Sequence, residues 1–332
     1  MPREAAVFLT YHIFFIQQFR IVWYDIFSTK FLRGGFFMPE KKIDSFEPSS
    51  ARLFYPIGSD IACVRRSGSL HYRPACPLHN HDGYELLLIL AGEANYYVET
   101  EGQILGAGEL ILNPAYSFHC SNTEGLDSFD RIILNFKESY LKKLCTEQTD
   151  LHACFERISE SRLNHLYLKP DEVHYFSNLT KRLTQTLEHP GYGAELLTAS
   201  LMIQILLFVN QKALDFPIPD APETILPKIV SDTIDYINEH LSDDLSMMVL
   251  SEHLNHSSDY IGRRFRKVMG TTLQQFIIAK RITLAQKYLR EGRTVTDACM
   301  LSGFSDYSNF SRCFSKHVGL SPREYQKRNI GL

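Results

Sequence analysis

Glycine, proline and capping positions in residues 281–326 constrain this chain more tightly than any other feature. The stretch reads RITLAQKYLREGRTVTDACMLSGFSDYSNFSRCFSKHVGLSPREYQ. A helix rich in small residues ends near Leu289, and Gly292 breaks it. A short helix is predicted from Thr296 to about Leu301, followed by a tight turn at Ser302-Gly303-Phe304. Glycine tolerates the positive φ that such a turn needs. Asp306 is placed to cap the next helix, which runs to about Val318 and stops before Gly319 and Pro322. Phe310, Phe314 and Val318 form a core stripe at four-residue spacing. Ser308, Asn309, Arg312 and Lys316 lie off that stripe and face outward. A short helix, a glycine turn and a second helix make the helix-turn-helix layout, whose second helix enters the DNA major groove.

The stretch resembles the signature of the AraC/XylS family of bacterial transcription regulators. The matching residues are Ala285, Leu289, Gly303, Phe304, Asp306, Ser308, Phe310, Arg312, Phe314, Gly319, Pro322 and Tyr325. It departs at Ala298 and Cys299, where the family usually has a larger aliphatic and then alanine. Both positions stay small and apolar, so a local repacking is expected. The resemblance implies a second such motif upstream. Leu245-Ser246 opens a short helix through His253, a turn follows at Asn255-His256, and Ser257 is placed to cap. The next helix runs from Ser258 to about Met269, with Ile261, Phe265 and Val268 facing the core. Arg263, Arg264, Arg266 and Lys267 make the remainder strongly cationic. A charge run is usually just a solvated face. On a helix predicted to face the groove, phosphate and base contact is the better reading. The expected DNA-contacting residues are Ser258, Asp259, Arg263, Arg266 and Lys267 in the first unit. In the second they are Tyr307, Ser308, Asn309, Arg312 and Lys316. A long helix from Leu273 to Leu289 joins the two. It is expected to hold the recognition helices one DNA turn apart, about 34 Å.

Charge divides the chain the same way. From Ile225 onward there are 15 Lys and Arg against 11 Asp and Glu, a net of +4. The whole chain carries −3, which leaves −7 before residue 225. A basic tail on an acidic body gives the body some task other than holding DNA. The boundary is the proline-rich segment 215–224, which cannot continue a helix. The DNA-binding domain is therefore placed at 225–332.

Residues 52–136 read as short strands. Leu86–Leu90 is a buried apolar run, Asn95–Val98 and Leu110–Leu112 are others, and Gly92, Gly102, Gly106 and Gly108 punctuate them. That pattern predicts a sandwich or barrel. His79, His81, Glu85, Gly92, Gly108, Pro114 and His119 are spaced in a way that resembles the two motifs of the cupin barrel. The resemblance implies that two histidines, a glutamate and a third histidine converge inside, a set that suits a divalent metal. His79 and His81 point to the same side if they share a strand. The glycine usual before the third histidine is Tyr116 here, and the asparagine after it is missing. The expectation is a cupin-like sensing barrel at 38–136 that takes a small polar effector at His79, His81, Glu85 and His119. No metal, cofactor or catalytic residue is assigned.

Residues 137–214 read as helical. Leu179, Leu183 and Leu187 share a face of a helix starting near Asp171, and Glu195–Val209 is apolar on several sides. Thr198, Ser200 and Gln204 weigh against a membrane span, and a helix apolar all round is buried. The resemblance implies that this segment pairs two subunits. Residues 1–37 are aromatic and apolar without a clean period and have no cleavage site. They are expected to be a mis-called leader or disordered. Arg33-Gly34-Gly35 fits a purine-rich, ribosome-site-like coding stretch just before Met38, so translation is expected to start at Met38. The seven cysteines are odd in number, scattered and without a CxxC pair, which fits a reducing compartment.

The fold class expected is α+β with two domains. An N-terminal cupin-like β-barrel carries a helical dimerisation segment, and the C-terminal domain is all-α with two helix-turn-helix motifs. The function expected is a cytoplasmic, effector-responsive transcription regulator and not an enzyme. It binds double-stranded DNA as a homodimer, does not enter a membrane, and has a sugar or related metabolite as effector. Activation, with RNA polymerase as a partner, is what the resemblance implies. Two other readings stay open: a cupin-type metalloenzyme fused to a DNA-binding module, and a constitutive DNA-bending protein with a vestigial barrel.

Overall fold

The computed structural model describes residues 57, 59–67, 75–123, 128–156, 165–215 and 224–330. The leader at 1–37, the start at Met38 and linker residues 216–223 lie outside them.

Alternation builds the N-terminal domain. The strands are β1 (Ile61–Arg66), β2 (Ala75–His79), β3 (Gly83–Ala91), β4 (Glu93–Val98), β5 (Glu101–Gly106), β6 (Glu109–Asn113), β7 (His119–Asn122), β8 (Asp130–Lys137) and β9 (His165–Tyr167). They form a five-stranded sheet, β1-β8-β3-β6-β9, and a four-stranded sheet, β2-β7-β4-β5. All pairings among them are antiparallel. Among the described residues the two sheets are separate hydrogen-bonded ladders, so this is the sandwich outcome of the strand pattern. From Leu86 to Ile89 β3 is an unbroken apolar run, buried on both faces. Leu86 and Leu88 pack with Leu110, Leu112, Leu134 and Phe136 beneath the helices. Leu87 and Ile89 pack with Tyr96, Val98, Leu105 and Ile111 between the sheets.

Helices α1 (Glu138–Leu144), α2 (Pro170–Glu188) and α3 (Ala194–Asp215) follow among the described residues. The expected all-helical stretch is interrupted by β9, which pairs with β6 from Glu109 to Ile111. Three residues are too few to show a period. On α2 the buried face is Phe176, Leu179 and Leu183, while Leu187 is exposed. α3 was expected to be buried all round and is not. Leu201, Met202, Ile205, Leu206 and Val209 are in the core, whereas Leu196, Leu197, Leu207 and Leu214 are exposed. By length and mean hydropathy (1.4) α3 is able to cross a membrane, but a third of its window is buried inside the fold.

The C-terminal region is helical throughout its described length: α4 (Lys228–Glu239), α5 (Met247–Leu254), α6 (Ser258–Met269), α7 (Leu273–Arg290), α8 (Val295–Leu301), α9 (Tyr307–Val318) and α10 (Pro322–Ile330). Side-chain caps start most of them. Ser246, Ser257, Thr272, Thr294 and Asp306 each accept a backbone N–H of the first turn. Two cores form. Ile234, Ile237, Leu250, Ile261, Phe265 and Met269 pack around the first half of α7. Ala298, Cys299, Phe304, Phe310, Phe314 and Tyr325 pack around its second half. Met269 is the deep residue at the end of α6, and Val268, expected there, is only half-buried.

Gly303 has φ +86, and a Cβ there would stand 2.6 Å from the Leu241 carbonyl oxygen. That carbonyl accepts from Arg281 Nε at 2.9 Å. Gly303→Ala is expected to destabilise the chain by about 1–3 kcal/mol from backbone conformation alone. Gly262, inside α6, has nothing within 4 Å of its virtual Cβ. Gly262→Ala should stabilise by about 0.5–1 kcal/mol. Urea melts of both variants check this, and equal effects of one sign would refute it.

Candidate nucleic-acid interface and histidine cluster

α6 and α9 are each 12 residues long, capped at both ends, and share their buried positions and two basic ones. Buried Ile261, Phe265 and Met269 correspond to Phe310, Phe314 and Val318. Arg263 corresponds to Arg312 and Lys267 to Lys316, and all four are exposed. Gly270 and Gly319, with φ +68 and +81, end the two helices. The hydrophobic period fixes which side is buried, and the cations at the sixth and tenth positions are thereby presented to solvent.

The remaining expected residues take distinct places. Asp259, Arg266, Tyr307 and Ser308 are exposed, while Ser258 and Asn309 are half-buried. Ser258 Oγ donates to the Met247 carbonyl, so it ties α6 to α5. Arg312 Nη2 donates to Asn309 Oδ1 at 3.0 Å, which fixes the guanidinium along the helix. Arg264 is half-buried, and its Nε has no hydrogen-bond partner. The sequence reading missed Tyr260, which is 37% exposed at the position corresponding to Asn309. Aligning the two helices by their caps is the signal that finds it.

The second cluster lies between the sheets. Glu85 sits on β3, with Asn113 of β6 and Asn135 of β8 directly opposite on its two neighbours. Asn113 Nδ2 donates to Glu85 Oε1 at 2.9 Å, and Asn135 Nδ2 to Oε2 at 3.2 Å. His79 pairs with His119 across β2 and β7, and their ring centroids are 4.3 Å apart. His81 lies beyond the end of β2, so the two early histidines do not share a strand as the spacing argument assumed. A register shift in β2 and the connection to β3 bring His81 within 5.1 Å of the His119 ring. Nε2 of His81 and of His119 stand 3.5 and 3.4 Å from the Glu85 carboxylate. Burial alone would raise the pKa of Glu85, but the His81 hydrogen bond and the surrounding imidazoles outweigh it and hold the group below the carboxylate range. Burial, reinforced by His79, pushes His119 well below the ordinary imidazole value. Asn113 and Asn135 were missed at the sequence level. Asn113 is a fully buried polar residue at the end of an apolar strand, and that misfit is the available signal for it. Asn135 shares the half-buried side of β8 with Arg131 and carries no such signal.

Comparison with known proteins places these two regions. The model of the AraC-like ligand-binding domain matches residues 66–206, and that of a helix-turn-helix domain matches residues 250–328. This chain belongs to the AraC family. An uncharacterised HTH-type transcriptional regulator of Staphylococcus aureus strain MRSA252 is 24% identical over 263 residues, covering 69% of this chain and 33% of that one. The melibiose operon regulatory protein of Escherichia coli K12 is 31% identical over 99 residues, covering 30% of this chain and 33% of that one. The chain thus spans about a third of the length of these curated relatives. A structure of ToxT from Vibrio cholerae with a bound unsaturated fatty acid overlaps 81% of this chain and 96% of its own, at 14% identity and TM-score 0.34. The chain thus carries an AraC-like ligand-binding domain followed by a helix-turn-helix domain.

In this AraC-type chain the ligand-binding domain grips α7. Asn80, between the two early histidines, donates to Thr283 Oγ1 at 2.9 Å and to the Tyr116 carbonyl at 3.2 Å. The Tyr116 N–H donates to the His81 carbonyl at 2.8 Å. Arg290 lies 4.2 Å over the Tyr116 ring and donates to Tyr325 Oη at 2.9 Å. Lys280 pairs with Glu99, whose other oxygen accepts the Phe118 N–H. Phe118 itself packs edge-on against Phe276. Phe276, Lys280, Thr283 and Arg290 recur at helical spacing, so one stripe of α7 meets the domain.

Proposed function

We propose that this regulator reads duplex DNA with α6 and α9, used as the recognition helices of two helix-turn-helix units. In this reading the ligand-binding domain adjusts their pose when a small polar effector enters at His79, His81, Glu85 and His119. The observation that carries it is the positional agreement of α6 and α9, which repeats an exposed Arg and Lys on two helices held by one connector. Arginine pairs bidentately with guanine, and lysine neutralises phosphate. α7 has 18 residues, about 27 Å at 1.5 Å per residue, which suits readers one DNA turn apart. The effector class proposed is a sugar or related metabolite, in keeping with the polar donors around Glu85. The exposed leucines of α3 support pairing of two copies. Activation through RNA polymerase and a cytoplasmic setting complete the reading, with no cofactor required for DNA binding.

Residues 225–332 alone are expected to bind the upstream intergenic DNA, with affinity falling steeply as salt rises because released counterions drive the contact. A gel-shift with no salt-sensitive complex counts against the assignment. Arg263→Ala is expected to weaken specific binding by about 1–3 kcal/mol with little change in melting temperature. A collapse of stability with DNA binding otherwise intact would make Arg263 structural. In a reporter strain, His81→Ala with Glu85→Gln is expected to abolish induction by the natural inducer and leave basal DNA binding in place. Unchanged induction would remove the cluster from the effector role.

A further inference from the structure

Away from the sheets, one further group of metal-ligating side chains comes together among the described residues: Cys145, Asp150 and His152. It lies on the loop that leaves α1, whose C-terminal cap is Cys145. The loop's own hydrogen bonds assemble it. Thr146 and Thr149 each donate a backbone N–H to the other's carbonyl, at 3.0 and 3.3 Å, so the chain doubles back and sets Cys145 beside Asp150. Asp150 Oδ1 accepts the His152 backbone N–H at 2.9 Å, and His152 Nδ1 lies 2.8 Å from the same oxygen. A carboxylate only accepts, so Nδ1 carries the ring proton. These two hydrogen bonds hold Asp150 below its ordinary value, as an anion. Cys145 Sγ stands 3.6 Å from that Nδ1 and 3.7 Å from that Oδ1. The loop is also held from behind. Asn210 of α3 accepts the Cys154 N–H at 2.9 Å and donates to the Leu151 carbonyl at 3.2 Å. Leu151, Cys154 and Phe155 are buried in the core. The three side chains are therefore positioned in advance, and the Asp150 side chain, 59% exposed, leaves the group open to solvent.

We propose that Cys145, Asp150 and His152 bind one zinc-class ion through Sγ, Oδ1 and Nδ1, with water in the fourth position. Around a tetrahedral zinc, bonds of about 2.3 Å to sulfur and about 2.0–2.1 Å to nitrogen or oxygen set the sulfur about 3.5 Å from each of the other ligands. The thiol already stands near that distance from both partners. Nδ1 and Oδ1, at 2.8 Å, must part by about 0.5 Å to go from hydrogen-bond to ligand spacing. The proton count closes. The thiol proton leaves to solvent, because the thiolate is the ligand. The ring proton moves from Nδ1 to Nε2 and stays on the imidazole. Nε2 is enclosed and without a hydrogen bond, so the move breaks no bond there. The Nδ1–H bond to Asp150 is exchanged for two bonds to the ion. Thiolate with imidazole selects zinc over magnesium or calcium, which need a shell of oxygens. Three protein ligands and one open position make the ion exchangeable with solvent, unlike a closed four-ligand structural site. The proposal stands independently of the effector reading, since none of its ligands belongs to the Glu85 cluster.

The test uses the full chain under a phosphine reductant, stripped with a chelator and titrated first with Co(II) and then with Zn(II). A thiolate bonded to Co(II) gives near-ultraviolet charge-transfer absorption that imidazole and carboxylate ligands do not. One thiolate-bound Co(II) per chain is expected, displaced by Zn(II). Cys145→Ser should abolish the band. Asp150→Asn and His152→Gln should each weaken binding by more than the roughly 10–100-fold that loss of an outer support to a ligand costs. Cys313→Ser, at a half-buried thiol on α9, should leave the band unchanged. No band in the wild-type chain overturns the proposal. So does a band that survives Cys145→Ser, or one that is lost in Cys145→Ser but untouched by both Asp150→Asn and His152→Gln. Wild-type protein decides the matter even if a variant fails to fold. Bound Zn(II) should slow alkylation of Cys145 by iodoacetamide several-fold, read by peptide mass, because the coordinated thiolate is no longer a free nucleophile. Equal rates with and without Zn(II) overturn the site.

Discussion

α7 belongs to two hydrophobic cores at once, and that sharing holds the C-terminal domain together. Its first half supplies Leu273, Phe276 and Ala279 to one core, and its second half supplies Ile282, Ala285 and Leu289 to the other. Each of the two helical groups is too small to bury enough apolar surface by itself. Arg281 adds a polar link at the junction, donating to the carbonyls of Leu241 and Asp243 where Gly303 makes its closest approach. The same helix then offers a third stripe to the ligand-binding domain. One element thus answers to three surfaces, and none of them can shift without moving the other two.

Much of the C-terminal domain was legible because its signals are local. Caps at Ser257 and Asp306, the stop at Gly319 and the four-residue stripe of Phe310, Phe314 and Val318 each depend on neighbours within a turn or two. α6 was placed at its observed ends, and α7 to within one residue. The N-terminal domain was legible in kind but not in detail. Glycine turns and apolar alternation gave the strands, yet the pairing of β9 with β6 and the separation into two sheets depend on long-range partners. The exposed side of α3 was hidden for a related reason. Leucine fits a core and an unpartnered face equally well, and only the covering sheet distinguishes them.

The cluster around Glu85 shows both limits together. The histidines stood out by spacing, although the strand that was to align His79 with His81 ends at His79. The residues that hold Glu85 did not stand out. Asn113 and Asn135 acquire meaning only when β6 and β8 are known to lie on either side of β3. A buried carboxylate needs donors, so a search for lone polar residues in apolar strands recovers Asn113 once a buried acid is suspected, while Asn135, on the half-buried face of β8 with Arg131, needs the strand pairing.

The length of α7 also works as a phase setting. An α-helix turns 100° and advances about 1.5 Å per residue. Inserting one residue between the two cores would swing α9 about a third of a turn around the axis relative to α6. The two sets of exposed cations would then point in different directions, and the close approach of Gly303 to the Leu241 carbonyl would be lost. Point substitutions on α6 or α9 leave the angle between the helices unchanged. A gain or loss of even one residue in α7 alters it at once, so the directions in which the two helices face are written into the residue count of their connector.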